Sequence, residues 1–461
     1  MKLTHLLLML SVTFAVAGCS FEPTYQRPKA DLEQNYPKDT AIKKSADEQT
    51  GADVSWQDFF TDADLKQLIS LALKNNKDLQ TAALDVAEYR AEYRISRANL
   101  APEIDLSGSS SAEHSSGKTS HSDSLTVGTS SWEIDFFGRL RSLKHQALEQ
   151  YLASAASKQS TQVSLIASVA TDYLQLLADQ QALAFSRQAV SDYQSSYQLA
   201  QKTLAIGSYG LSDFNTARAN LAAAQADVAS YQQAIAQDWH NLANVVGTAI
   251  PQSIRARHSV DILTQRFTQS IAGGLPSQLL THRPDIIAAE HSLKAANANV
   301  GAARAAFFPT ISLTSSLGFA SSSLDNLFNS GSWAFTPSVS LPIFDFGSKQ
   351  ADLDVAKIEK KIEIVNYQQV IQTAFKEVSN ALSNRQGYAK QYSAYRDYYS
   401  ALKSEFELSK AKLSVGSDSL YDMLDAAQDY HSAKIQLVDI RLEQLSNQIT
   451  LYKVLGGGWH Q

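Results

Sequence analysis

Three carboxylates fall within eight residues near the C-terminal end of the chain: Asp418, Asp422 and Asp425. Asp422 and Asp425 stand three apart, which on a helix places both on one face. Repeated around a ring of subunits, such side chains favour cations and can hold a constriction through bound cations or hydrogen bonds. A plainer role competes, because Asp in a first helical turn caps free N–H groups and is favoured by the helix dipole. Tyr421 adds a bulky side chain beside them. Other chemistry is missing: there is no Gly-rich phosphate loop, no nucleophile-elbow serine and no His pair at metal-ligand spacing. His114 and His121 are expected in a solvated hairpin loop. The chain is therefore not expected to be an enzyme or to carry a cofactor or metal, and energy for any transport must come from a partner.

The carboxylates belong to a stretch that occurs twice. Leu204-Ala205-Ile206-Gly207-Ser208-Tyr209-Gly210-Leu211-Ser212-Asp213 returns as Leu413-Ser414-Val415-Gly416-Ser417-Asp418-Ser419-Leu420-Tyr421-Asp422. Gly after a Leu-containing turn stops a helix by taking the left-handed conformation, and Leu-x-Asp starts another. Two helical hairpins with equivalent tips are predicted. Gly207, Ser208, Gly416 and Ser417 are small enough for a partner's helical hairpin to approach closely, with Leu211, Asp213 and Leu420 beside them. The first tip carries only Asp213, so the second is the expected gate.

Long arms carry these tips. Residues 139–206 contain no Pro or Gly, and residues 348–415 form an equally long helical stretch of 68 residues. Each would extend on the order of 100 Å at about 1.5 Å per residue. The first is rich in Ala, Gln, Ser and Leu, a thin apolar stripe that needs lateral helical neighbours. Equal arms bring both tips to one plane. Ahead of each arm lie alternating segments. Ile104, Leu106, Gly108, then Leu125 and Val127, precede Trp132, Ile134 and Phe136 on a shifted phase, which predicts a bulge near Ser130. A polar loop is expected over 115–124. The second hairpin alternates more cleanly through Ile311, Leu313, Leu317 and Phe319, then Trp333, Phe335, Val339 and Leu341. Pro102 recurs as Pro309 at an offset of 207, and residues 134–138 recur as 343–347 at 209.

Four strands of roughly ten to thirteen residues have transmembrane barrel length. Four cannot close a barrel, and a bare edge in lipid leaves backbone groups unpaired. The chain must oligomerise, and three copies would give twelve strands. Net charge is -6 with pI near 5.9, and there is no basic cluster, which argues against nucleic acid. Lys2, an apolar run over 6–17 and Ala17-Gly18-Cys19-Ser20 read as a signal peptide. That segment resembles a bacterial lipobox, which implies acylation of Cys19, the sole cysteine. Ser20 after it implies transfer to the outer membrane.

The lipobox, Tyr25-Gln26-Arg27-Pro28, Trp56 with Phe59-Phe60, Arg283-Pro284-Asp285, the run Gly301 to Pro309 and the paired tips together resemble the TolC-like outer-membrane factors. The resemblance is to the acylated branch of OprM and MtrE, which serves resistance-nodulation-division pumps. It implies an α+β membrane protein: a trimeric twelve-stranded β-barrel, four strands per chain, continued by a long periplasmic α-helical barrel. It implies an exit duct of a tripartite drug-efflux pump. The partners implied are a periplasmic adaptor, a proton-driven inner-membrane pump and outer-membrane lipid. Asp422 and Asp425 match aspartates at the periplasmic entrance, and Tyr421 matches a bulky position at the constriction. Asp418 stands where TolC has a gating arginine, so that protein's salt-bridged lock is not expected.

The chain divides into a signal peptide (1–18), an acylated tether (19–55), helices of the first repeat (56–100) and a first β-hairpin (101–137). A first helical hairpin follows (138–246, tip near 207–213), then a connector (247–282), a helix of the second repeat (283–308) and a second β-hairpin (309–346). The second helical hairpin (347–455, tip near 416–422) precedes a C-terminal tail (456–461), read as flexible. Two sibling readings keep the duct but change the cargo, to secreted polypeptides or metal ions. Against soft metals, Met423 is the only methionine beyond the signal peptide. A structural coiled-coil lipoprotein would not need the strands.

Overall fold

The structure is a computed structural model that describes residues 20–29, 54–208, 210–256, 261–267 and 280–458. The signal peptide, Cys19 and most of the expected tether lie outside the described residues. The elements are α1 (Trp56–Phe59), α2 (Ala63–Asn75), α3 (Lys77–Ala98), β1 (Asp105–Ser115), β2 (Lys118–Glu133), α4 (Arg139–Ala205) and α5 (Leu211–Val246). They continue with α6 (Gln252–Arg255), α7 (Pro284–Ala305), β3 (Thr310–Ser321), β4 (Gly331–Ser340), α8 (Ser348–Ser414) and α9 (Leu420–Val454). The arms α4 and α8 are each 67 residues. The chain forms two compact units.

Among the described residues, the first unit comprises 20–29, 83–157 and 285–370. Its centre is an antiparallel sheet in the order β1-β2-β3-β4. Leu106, Val127, Leu317 and Trp333 lie opposite one another across it. Directly paired residues share a face, so one face is apolar and the other is built from Ser, Thr and Gly. On the apolar face Leu106, Val127, Leu317, Trp333, Phe335 and Val339 are all exposed. The expected bulge is present: two residues, Ser130 and Ser131, oppose Thr314 between the pairs Thr129–Ser315 and Trp132–Leu313. Ser131 takes φ 54°, and its N–H donates to Thr314 Oγ1 at 3.1 Å. The expected polar loop over 115–124 is corrected. The strands run on to a two-residue turn at Ser116-Gly117, both at positive φ, the geometry that matches strand twist. His114 and His121 consequently sit on β1 and β2, exposed, and His114 Nδ1 lies 2.9 Å from Thr119 Oγ1.

Residues 20–29, expected as the start of an extended tether, form an extended strap packed on this unit. The Phe21 ring stacks on Phe308 at 4.3 Å, and Phe308 stacks on Phe137 at 5.0 Å. Arg27 makes a charge-assisted bond to Glu290 at 2.7 Å. A Cβ on Gly301 would come within 2.7 Å of Glu22 Cα, so the glycine lets the strap pass. Two carboxylates flank the His145 imidazole, Glu22 at 3.0 Å from Nδ1 and Glu149 at 3.3 Å from Nε2. Glu149 also meets His291 Nδ1 at 2.6 Å, joining α4 to α7.

Among the described residues, the second unit comprises those within 54–82, 158–284 and 371–458. Phe59, Phe60, Phe267 and Tyr452 form one of its cores, with Phe59 stacked on Tyr452 at 4.3 Å. The tail expected to be flexible over 456–461 is corrected for residues 456–458, and 459–461 lie outside the described residues. Gly456, Gly457 and Gly458 are buried, Gly456 at φ 83° against the His282 carbonyl. Gln162 donates to the Gly458 carbonyl at 3.3 Å. No described helix is long and apolar enough to cross a membrane.

Candidate functional site: the paired helical tips

Both arms end the same way. The Gly207 N–H donates to the Leu204 carbonyl and that of Ser208 to Thr203; the Gly416 N–H donates to Leu413 and that of Ser417 to Lys412. With Gly207 at φ 72° and Gly416 at φ 76°, both are Schellman stops. The return helices also start alike. The Gly210 N–H donates to Asp213 Oδ2 at 3.1 Å. Ser419 and Asp422 form a reciprocal capping box, Asp422 N–H to Ser419 Oγ at 3.1 Å and Ser419 N–H to Asp422 Oδ2 at 3.3 Å. The Ser419 hydroxyl and N–H hold the Asp422 carboxyl below the usual carboxylate range.

Packing makes the two tips unequal. One core holds both: Ala200, Ala217 and Leu221 from the first hairpin meet Phe406, Leu420, Leu424 and Ala427 from the second. Leu420, expected to meet a partner, is 1% exposed and belongs to that core, a correction to the sequence reading. Its counterpart Leu211 is 63% exposed. Among the described residues, the large apolar side chains that the tips expose are Ile206, Val415, Leu211 and Tyr421. Ile206 and Val415 were missed, although an apolar residue before the stopping glycine in both copies was a legible signal. Gly207, Ser208, Gly416 and Ser417 are exposed, and Asp213 is partly buried.

The three carboxylates separate by environment. Asp418 Oδ2 accepts from Ser409 Oγ at 2.8 Å, back onto α8. Asp422 is exposed but occupied by the cap. Asp425, one turn further on, is exposed on the same side of α9 as Tyr421 and Asp422.

Polar groups also lie buried along the hairpins. His431 Nε2 on α9 lies 3.3 Å from Asp192 Oδ2 on α4. Burial raises the Asp192 carboxyl, but His431 and Gln188 outweigh it and leave it below the usual range. Lys434 sits 4.7 Å from the rings of both Phe185 and Tyr430, and burial lowers its pKa. Further along, Asp238 on α5 is 9% exposed, its Oδ2 without a hydrogen-bond partner among the described residues. Burial, then Asp179 and Asp172 on α4, push its carboxyl up to about 7. Among the described residues, no three His, Cys, Asp or Glu side chains are arranged to hold a metal ion.

The profile of the outer membrane efflux protein family matches residues 68–248 and 275–457, one match per repeat. The chain is 41% identical over 473 residues to the antibiotic efflux pump outer membrane protein ArpC of Pseudomonas putida, covering 100% of this chain and 97% of that protein. It is 38% identical over 464 residues to the cation efflux system protein CusC of an Escherichia coli O6:H1 strain, covering 99% of both. The open-state crystal structure of the Neisseria gonorrhoeae MtrE outer membrane channel superposes with a TM-score of 0.89 at 36% identity, covering 96% of this chain and 99% of that one.

Proposed function

The chain belongs to the outer membrane efflux protein family, and on that premise we propose that three copies form the exit duct of a tripartite drug-efflux pump. The observation that carries this is the sheet: four strands of barrel length, one exposed apolar face, one small polar face and two unpaired edges. Such a sheet is stable in lipid only when other copies satisfy its edges. Twelve strands then enclose a polar lumen, and the apolar face meets the hydrocarbon. Cys19 carries the acyl anchor. The strap behind it, clamped through Phe21 and Arg27, fixes where the lipid attachment begins.

The paired tips form the periplasmic entrance. Ile206, Val415 and Leu211, next to the small Gly-Ser stops, offer the periplasmic adaptor an apolar contact with no bulk around it. Asp425 and Tyr421 ring the opening, while Asp422 and Asp418 keep the second tip in shape. An inner-membrane proton-driven pump supplies energy through the adaptor. Small organic compounds are the cargo favoured over soft metal ions, because Met423 is 6% exposed and packed in the tip core. Deleting the gene should raise accumulation of the partner pump's substrates, and acylated trimer in planar bilayers should conduct with cation preference. Unchanged accumulation of every substrate would sink the efflux reading.

A further inference from the structure

The strap over residues 20–29 is held by a different set of charges at each end. Toward its C-terminal end, Arg27 meets the Glu290 carboxylate of α7 at 2.7 Å. Lys294 lies 3.3 Å from the same carboxylate, and the Tyr25 hydroxyl donates to it at 3.3 Å. Guanidinium and ammonium groups keep their charge through the neutral pH range, so this clamp is permanent. At the N-terminal end the strap's carboxylate, Glu22, has no Lys or Arg partner among the described residues. It is met by the His145 imidazole of α4, 3.0 Å away at Nδ1, and by the Asn297 amide of α7 at 3.4 Å.

His145 Nε2 lies 3.3 Å from Glu149, four residues along the same helix, so a carboxylate stands against each ring nitrogen. A neutral imidazole has one N–H and one lone pair, whereas imidazolium has two N–H groups. The neutral ring can therefore donate to one carboxylate but turns a lone pair on the other; the charged ring satisfies both. Glu149 cannot move away, because it shares α4 with His145 and is also held by His291 Nδ1 at 2.6 Å. Burial raises the Glu149 carboxyl, but His291, Lys294 and His145 outweigh it and leave it below the usual range. Glu22 can leave, because it rides on the strap. The other titratable groups around this end are Glu290 and Arg304 on α7 and Tyr367 on α8; Arg304 donates to the Phe21 carbonyl at 3.4 Å. Side chains of these three types hold one charge state across the range in which imidazole titrates.

We propose that the N-terminal end of the strap is a proton-controlled latch: charged His145 holds Glu22 beside Glu149, and neutral His145 releases it, while Arg27 stays clamped to Glu290. Docked, His145 has two carboxylates; undocked, it keeps Glu149 alone. The docked state therefore binds the proton more tightly, and docking weakens as pH rises. The His145 side chain is 40% exposed, so protons reach it from water. Phe21, stacked on Phe308 at 4.3 Å, is a hold that does not vary with pH, so the latch grades the docking of residues 20–24 rather than abolishing it. This segment leads directly to Cys19. Acid thus ties the lipid-bearing end to the body of the protein, and alkali gives it slack.

The test is electron paramagnetic resonance of a nitroxide on Thr24→Cys, an exposed strap position, in the full-length protein in lipid nanodiscs. Protein without that change, treated with the same label, gives the background from Cys19. Between pH 5.5 and 8 the mobile component should grow, its ratio to the immobile one rising by at most about tenfold per pH unit, the limit for one proton. His145→Gln, which carries no charge at any pH, should be mobile throughout, and so should Glu22→Gln. His145→Arg, always charged and with several donors, should stay immobile to pH 8. A spectrum of the labelled parent that does not change with pH would overturn the latch. So would a pH response that survives in His145→Gln. Should that variant fail to fold, Glu22→Gln, altered only on the strap, decides in the same way.

Discussion

Asp238 offers a quantitative test of the helical region. Its carboxyl, nine-tenths buried, is pushed from 3.8 to about 7 by burial first and by Asp179 and Asp172 next. Three units at about 1.4 kcal/mol each set a ceiling near 4 kcal/mol for ionising it in the folded protein. Asp172 and Asp179 are only partly buried, so water screens them, and about 2 kcal/mol is the working figure. The sign follows from proton uptake. Between pH 4 and 7 the folded state holds a proton that the unfolded state has released, so stability falls as pH rises through that window and is lowest above 7. Asp238→Asn cannot ionise, and its amide can donate to Asp179. Thermal unfolding of purified protein in detergent, at fixed concentration from pH 5 to 8.5, should show the wild-type midpoint falling with pH by a few degrees. The variant should lose much of that slope and lie above wild type at pH 8. Parallel curves for the two proteins would refute the assignment.

Other expectations concern the tips. Leu420→Ala should cost about 2–5 kcal/mol by opening a cavity in the tip core, whereas Leu211→Ala, at the equivalent exposed position, should leave the unfolding midpoint nearly unchanged. Asp422→Ala should lower the unfolding midpoint slightly, because it removes the N3 half of the capping box that Ser419 completes. Asp425→Asn should leave the midpoint alone and lower the cation preference of the open channel, measured by reversal potential; the opposite pattern would exchange their roles.

Features set by the local chain were legible in the sequence. The phase slip from Val127 to Trp132 located the bulge, because strand alternation has a strict period of two and an extra residue must break it. The Gly-Ser pairs located both Schellman stops, because few residues other than glycine accept positive φ readily. What depended on neighbours was hidden. Leu211 and Leu420 occupy the same place in the repeat, yet only Leu420 is packed into the tip core that holds Phe406 of α8. Residues 20–29 have no periodicity to reveal that Phe21 and Arg27 would find partners far along the chain. Nor did composition show that the final glycines are buried because His282 and Tyr452 crowd them. Ser and Thr between 115 and 124 suggested a loop, since a strand exposed on both faces needs no apolar alternation.

The matched 67-residue arms also constrain how the gene can change. Each residue of helix advances about 1.5 Å and turns about 100°. Losing one residue from α4 alone would lower Gly207 by a fraction of a turn and swing it to another side of its axis, while Gly416 stayed put. Ile206 and Val415, proposed above as the adaptor-facing rim, would then no longer share one level. Seven residues, close to two full turns, restore the heading but displace the rim by roughly 10 Å. Length variation in these arms is therefore expected to arrive in both repeats together, in steps near a heptad, so that the duct behaves as a pair of coupled rulers.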